Sequence, residues 1–477
     1  MTVSFESYEQ QDLDHQIYDR HSLVKGWNQT KLSGGSSGGA AFPGSNMVVV
    51  GSGRLADLAT LFSICIGSKK VCRVIPKLST EHSFYQSGDG FSNLVQEVTK
   101  YRLLQQEEFG LEKAVEKAME GNHDPYLLLA GCAPSVCERA VQASQERKPM
   151  TIYAHASSMK ACVVVQPKGF PLRNTRINDL SIGAQGVAAS LLVDAAVYDA
   201  VYEKNMRSVW YYNGTGTRLT LEPDGFKAPR MHAPKGNVTL VGAGGIGHWA
   251  ALMMAMAGIP LTVIDGDSIE VVNFVKQPFF GMGNGRPKVE VLKEMFARHV
   301  GVDIQARPEY LYGENGVEVE RLKCQLVESN IERLLESADL IVSAVDTAVA
   351  RRDMELYAIE HGVPMIDGGL NVEQITTDRC RCTNQPYGSH VLTNALIASI
   401  MVDNTIKYLS GGGNPPARCK IMNVDYVEDI GERLPTPMID VEERSFIPQR
   451  GDVGVTEQFQ LRVDEVITNL KGVSNEA

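Results

Sequence analysis

Apolar positions along the chain form short runs and longer helical stretches, and they do so twice in the same order. In the C-terminal half, 238–241 is an apolar run followed at once by Gly242-Ala243-Gly244-Gly245-Ile246-Gly247. An apolar helical stretch then spans about 246–257 and stops at Gly258, a residue type that ends helices. A second apolar run covers 261–264. Strand, glycine turn, helix and strand predict a βαβ unit and a parallel sheet. The pattern continues with a helix over 288–298, strands over 339–345 and 363–366, and a long helix over 392–409. The N-terminal half predicts a strand at 47–50, a turn at Gly51-Ser52-Gly53 and a helix over 55–66. Strands at 71–75, 126–130 and 150–153 and a long apolar helix over 182–201 follow. The Gly/Ser cluster from Ser33 to Gly39 reads as a flexible loop.

Local matches fall at corresponding places in the two halves. Lys148-Pro149-Met150-Thr151-Ile152 parallels Val363-Pro364-Met365-Ile366, and Ala188 to Asp194 parallels Ile397 to Asp403. The shared order predicts two α/β repeats, 17–207 and 232–412. They are preceded by a tail at 1–16, joined by a bridge at 208–231, and followed by a C-terminal extension at 413–477 with strand-like runs. The expected architecture is two Rossmann-like repeats with mainly parallel sheets forming an intramolecular pseudo-dimer, its site at or near the shared interface.

Composition narrows the function classes. A net charge of −11 over 477 residues disfavours nucleic acid as a partner. No run approaches the roughly 18 consecutive apolar residues of a membrane span, and the polar, acidic first eleven residues do not read as a secretory signal. Nine cysteines, an odd number, suit reduced thiols and a cytoplasmic location. With no C-x-x-C pair, no zinc is expected.

Gly242, Gly244, Gly245 and Gly247 between strand and helix bring a tight turn, bare backbone and a helix N-terminus to an anion. Asp265, 23 residues after Gly242, ends the next strand and can accept hydrogen bonds from ribose hydroxyls. These features suit NAD, FAD or ATP equally. The next segment discriminates: Asp265-Gly266-Asp267-Ser268-Ile269-Glu270-Val271-Val272-Asn273-Phe274-Val275-Lys276-Gln277, then Gly285-Arg286-Pro287-Lys288-Val289. It resembles the nucleotide-binding segment of the ubiquitin-activating-enzyme-like superfamily, the ThiF/MoeB adenylyltransferases. Their pattern is D-x-D-x-[IV]-x-x-x-N-[LF]-x-R-Q and a later G-x-x-K-[VAS]. Lys276 stands where arginine is usual, which keeps the charge and loses the planar fork. Asp339 to Thr347 with Arg351, and 363–366 with Gly368-Gly369, resemble the family's next two segments. The resemblance covers the whole second repeat.

The resemblance implies ATP and Mg²⁺ as cofactors and activation of a carboxylate as an acyl-adenylate with release of pyrophosphate. It implies that Asp265 binds ribose and that Asp267 lies near it or near the metal. Asn273, Lys276 and Gln277 would face the phosphates, Lys288 the α-phosphate side, and Asp346 would bind Mg²⁺. The implied substrate is the C-terminus of a ubiquitin-like or sulfur-carrier protein, or alternatively a short ribosomal peptide.

The first repeat lacks this chemistry. Ala56 stands at the third glycine, its second strand ends without a carboxylate, and Gly131-Cys132-Ala133-Pro134 carries no metal-binding aspartate. It reads as catalytically silent. It does contain Tyr18-Asp19-Arg20-His21 and Gly26 to Leu32, which resemble the family's N-terminal segment. The resemblance implies that Arg20 crosses to the phosphates of the second repeat. Cys380 and Cys382 lie where simpler relatives place a transfer cysteine, with Arg381 and His390 near in sequence. A thioester at Cys382 and an unremarkable pair of loop thiols both stay open. The competing classes are a nicotinamide- or flavin-dependent oxidoreductase, in which the Asn273-Lys276-Gln277-Lys288 set has no role, and a non-catalytic scaffold.

Overall fold

The computed structural model describes residues 29–37, 40–42, 44–76, 104–105, 110–120, 125–157, 160–167, 182–202, 209–212, 233–270, 273, 276–280, 283–312, 330–346, 348–369, 391–411 and 444–446. Arg20, Cys380, Arg381, Cys382 and His390 lie outside them, as do most of the expected bridge and extension.

A short helix, α1 (Gln29–Ser33), leads into a two-stranded antiparallel pair, β1 (Gly35–Ser37) and β2 (Ala40–Phe42). The Gly/Ser cluster expected as a loop therefore supplies a strand. Backbone pairing needs no side-chain pattern, so composition hid it.

The first large sheet has the order β5-β4-β3-β6-β7-β8-β9. Its strands are β3 (Asn46–Val50), β4 (Lys70–Val74), β5 (Leu104–Gln105), β6 (Pro125–Ala130), β7 (Met150–Ser157), β8 (Lys160–Val165) and β9 (Val209–Tyr212). The five from β5 to β7 are parallel, and β8 and β9 continue antiparallel. Thus Val209–Tyr212, at the start of the expected bridge, belongs to this sheet. The second sheet has the order β12-β11-β10-β13-β14-β15. It comprises β10 (Val238–Val241), β11 (Leu261–Ile264), β12 (Gln305–Arg307), β13 (Leu340–Ser343) and β14 (Met365–Asp367), all parallel. From the expected extension, β15 (Arg444–Phe446) is added antiparallel.

Alternate strand residues point to opposite faces. On one face of the first sheet, Met47, Val49, Val71 and Leu128 meet α2 (Gly53–Cys65) and α5 (Ile182–Tyr202). On one face of the second, Leu240, Val263 and Val342 meet α6 (Gly245–Met256) and α10 (Val391–Leu409). These four helices form a single apolar layer joining both sheets, with α5 packed on α10, α6 and α2. The outer faces are closed by α3 (Leu111–Met119) and α4 (Pro134–Ser144) on one side. On the other side lie α8 (Ile331–Leu335) and α9 (Ala348–His361); α7 (Lys288–His299) flanks α6.

The central layer explains why α5 and α10 are apolar on nearly every side. The stretch Ile182–Val201 is long and apolar enough to cross a membrane by length and composition, so the absence of an 18-residue apolar run understated it. In the fold it is mostly buried within protein. Gly186 permits the close crossing of α5 and α10, because a Cβ there would lie 2.2 Å from Ser399 Oγ. Phe62 of α2 meets Trp249 of α6 edge-on, with ring centroids 4.9 Å apart. One ion pair is sealed into the first half: Arg73 on β4 donates to Asp57 on α2 at 3.0 Å and to Thr60 at 3.2 Å, all three buried. A charge so placed needs its partner.

Candidate functional site

The C-terminal ends of the second sheet are in register, with Ile264 opposite Arg307 and Val241, and Val241 opposite Ser343. The chemistry-bearing residues follow directly: Asp265 after β11, the glycine turn after β10, and Asp346 three residues after β13. Gly242 adopts φ +94°, and its would-be Cβ would meet the Ala344 carbonyl oxygen at 2.8 Å. A Cβ on Gly247 would lie 1.8 Å from the Gly242 carbonyl oxygen, so α6 starts directly against the turn. Gly244, the residue preceding α6, differs: among the described residues, a Cβ there would meet no atom within 4 Å. The fold does not require glycine at 244, and the gap is the kind of space that close approach of a ligand would require. Gly245 is crossed by the Asn394 side chain from α10, 2.5 Å from a would-be Cβ.

Asp265 is held by two backbone donors: Ala243 N–H to Oδ2 at 2.6 Å and Asp267 N–H to Oδ1 at 2.8 Å. A carboxylate has about four acceptor positions, so both oxygens keep room for a hydroxyl donor. Burial raises the Asp265 pKa above the ordinary carboxyl value; Lys288 opposes that shift, Asp267 adds to it, and the two N–H donors oppose it. Lys288, the first residue of α7, is buried, and its Nζ lies 2.7 Å from Asp267 Oδ2. Burial works against its charge, but Asp265, Asp267 and Asp346 outweigh it and hold its pKa above the usual amine value. Lys288 thus carries a fixed positive charge at the mouth of the sheet. Asp346 is exposed there.

Asn273 serves the loop itself. Its Oδ1 accepts the Glu270 N–H at 2.8 Å, and its carbonyl accepts the Lys276 and Gln277 N–H groups at 3.1 and 2.9 Å. Lys276 is half-buried, whereas Gln277 is buried with its Oε1 unpartnered among the described residues.

Four further residues shape the site. His248, fully buried on α6, accepts the Phe279 N–H on Nε2 at 3.3 Å and so ties the 276–280 segment to the helix. Burial pushes its pKa down to about 3, which keeps the ring neutral. Arg351 on α9 binds Asp367 and the Val345 carbonyl, and donates to the Gly368 carbonyl at 3.0 Å, clamping the turn that presents Asp346. Asn394 packs on the glycine turn, and Tyr310 donates to Asp267 Oδ1 at 3.1 Å. Arg351 lay within a recognised segment. Asn394 and Tyr310 carry no sequence signal of their own, because each reaches the site from another element, and His248, next to Gly247, reads as one position of an apolar helix.

In the first sheet Val50 is opposite Val74 and Leu129. Counting onward from those pairs places Ile75 where Asp265 stands, Cys132 where Asp346 stands and Ala56 where Gly247 stands. Ile75 is exposed, and the Cys132 thiol donates to the Val50 carbonyl at 3.0 Å.

The family model described as ThiF family matches residues 231–441. In sequence the chain is similar to the adenylyltransferase and sulfurtransferase MOCS3 of Anopheles gambiae, 31% identical over 141 residues, 29% of this chain and 29% of that protein. Among solved structures it is similar to E. coli MccB with MccA, at 19% identity and TM-score 0.29, covering 38% of this chain and 58% of that one. It is also similar to the E. coli tRNA N6-threonylcarbamoyladenosine dehydratase TcdA, at 16% identity and TM-score 0.30, covering 37% and 87%. The chain spans 29% of the length of the curated relative it matches.

Proposed function

We propose that the chain, which matches the ThiF family model over residues 231–441, is an ATP- and Mg²⁺-dependent adenylyltransferase that activates a carboxylate. The observation that carries this reading is the order along the sheet edge: Asp265, glycine turn, Asp346, with buried Lys288 ion-paired beside them. That order matches ribose, phosphates and metal along a nucleoside triphosphate. The site has the parts such a ligand needs. The open space at Gly244 admits a phosphate, Asp265 retains acceptor capacity for ribose, and the Asp346 carboxylate is a hard oxygen donor suited to Mg²⁺. Mg²⁺ supplies charge neutralisation and orients the phosphates. Lys288 brings a permanent cation to the α-phosphate side, where negative charge builds as the substrate carboxylate attacks and pyrophosphate departs.

The substrate we favour is the C-terminal carboxylate of a ubiquitin-like or sulfur-carrier protein, in keeping with the name of the MOCS3 relative. A short ribosomal peptide is the second reading, favoured by the lack of any C-x-x-C pair among the nine cysteines. In this proposal 17–207 is a silent repeat, 232–412 the active one, and the two form an internal pseudo-dimer. The residues Ile75, Cys132 and Ala56 at the equivalent positions support that division. Arg20 is proposed to reach the phosphates from the silent repeat, and Cys382 to be the candidate for any thioester. A cytoplasmic location belongs to the same reading.

ATP–pyrophosphate exchange with candidate carboxylates tests the activity, and Asp346→Ala should abolish any exchange. Mass spectrometry for an AMP-modified partner then identifies the substrate. Exchange that survives Asp346→Ala would remove the metal role, and tight NAD binding without exchange would favour the oxidoreductase class. Unchanged exchange in Arg20→Ala would remove the role of Arg20.

A further inference from the structure

We propose that Tyr310 is a positioning residue for the Lys288 ammonium and acts through Asp267; as a catalytic statement this rests on the adenylation reading above. The two oxygens of Asp267 are divided between two partners, Lys288 Nζ on Oδ2 at 2.7 Å and the Tyr310 hydroxyl on Oδ1 at 3.1 Å. The backbone around this carboxylate is already tied down. The Lys288 N–H donates to the Asp267 carbonyl at 3.0 Å, and Ser268 forms an antiparallel bridge with Pro287. Packing does not hold the carboxylate itself, because the Asp267 side chain is 53% exposed. The hydroxyl of Tyr310 restrains its rotation.

Tyr310 is itself fixed at both ends. Its ring lies on Gly266, where a Cβ would come within 2.5 Å of the ring carbons, so any larger residue between the two aspartates would displace it. Its carbonyl accepts from Asn330 Nδ2 at 3.2 Å, and the next carbonyl, of buried Leu311, accepts from the Asn330 N–H at 2.8 Å. A lysine charge sits on a flexible four-carbon stem and follows its nearest anion. Asp265, Asp267 and Asp346 all act on Lys288, and an immobilised Asp267 decides which way the ammonium points. Preorganisation of this kind saves reorientation when a phosphate arrives.

Tyr310→Phe keeps the ring on Gly266 and removes only the hydroxyl. Calorimetric titration with ATP and Mg²⁺ should show about 5- to 10-fold weaker binding than wild type, the scale of one ordinary hydrogen bond acting through Asp267. In an Asp267→Ala background the same change should cost less than about two-fold, since coupled residues are not additive. A general structural role for Tyr310 predicts equal losses in both backgrounds and would overturn the proposal. A second readout needs no nucleotide. Labelling of Lys288 by an amine-reactive ester, followed by peptide mass spectrometry, should quicken about three-fold in Tyr310→Phe, because an unrestrained Asp267 covers the ammonium less. Unchanged labelling refutes the coupling. Faster labelling in a protein whose wild type binds no ATP would remove the adenylation reading while leaving the Tyr310–Asp267–Lys288 coupling standing.

Discussion

Two glycines of one turn should respond in opposite ways to the same substitution. At Gly247 an added Cβ would sit 1.8 Å from the Gly242 carbonyl oxygen and 3.3 Å from the Ala344 Cβ. The first contact is with backbone and no rotamer relieves it, so the start of α6 must move off β10. Overpacking of this kind costs about 1–3 kcal/mol, and a backbone clash lies at the upper end. At Gly244 a Cβ meets no atom of the described residues, and the backbone, φ −69° and ψ −161°, is extended and open to an L-residue. Gly244→Ala should therefore leave stability unchanged or raise it by about 0.4–1 kcal/mol, through the less flexible unfolded chain. If a phosphate lies against this turn, the methyl group occupies its space and ATP binding should fall by about ten-fold or more. The assay is a pair of measurements on each variant, a urea unfolding midpoint and a calorimetric ATP titration. Gly247→Ala should lower both. Gly244→Ala should separate them, with binding lost and stability kept. Wild-type ATP affinity in Gly244→Ala would refute the reasoning, because the gap over residue 244 would then face only water.

Three further outcomes follow from the same structure. Lys288→Met keeps the length of the stem and removes the charge, and should slow ATP–pyrophosphate exchange by about 100-fold, the usual scale for a transition-state cation or donor. His248, neutral and held near a pKa of about 3 by burial, contributes stability that is complete above its unfolded value of 6.5 and is lost as pH falls towards 3. Wild type should lose about 2 kcal/mol more than His248→Gln between pH 6.5 and 5 in urea unfolding; parallel losses would show that the ring is not buried neutral. Asp57→Ala strands the buried Arg73 guanidinium, whose pKa is already lowered by burial and supported by Asp57, and should cost about 3–5 kcal/mol. A loss below about 1 kcal/mol would mean that water reaches Arg73.

The apolar runs and their glycine punctuation were enough to locate β3, β4, β6, β10, β11 and β13 and the long helices α5 and α10, because strand and helix periodicities are local properties. The same holds for Asp265, Asp267 and Lys288, which sit in a recognisable order on one strand end and one helix start. Strands β1, β8, β9 and β15 were not legible. β1, β9 and β15 pair at sheet edges and are only three or four residues long, whereas β8 lies between β7 and β9, and its alternating burial falls in an apolar run over 161–165 that is not among the strands expected from sequence.

By itself, then, the sequence determined which residues carry charge near the glycine turn and in what order they occur. Only the tertiary structure decided how those charges are shared. Tyr310 comes to Asp267 from 43 residues away, Arg351 and Asn394 approach from two further helices, and His248 is tied to Phe279 through a buried ring. Such contacts depend on packing between elements distant along the chain, and no spacing of residue types encodes that distance.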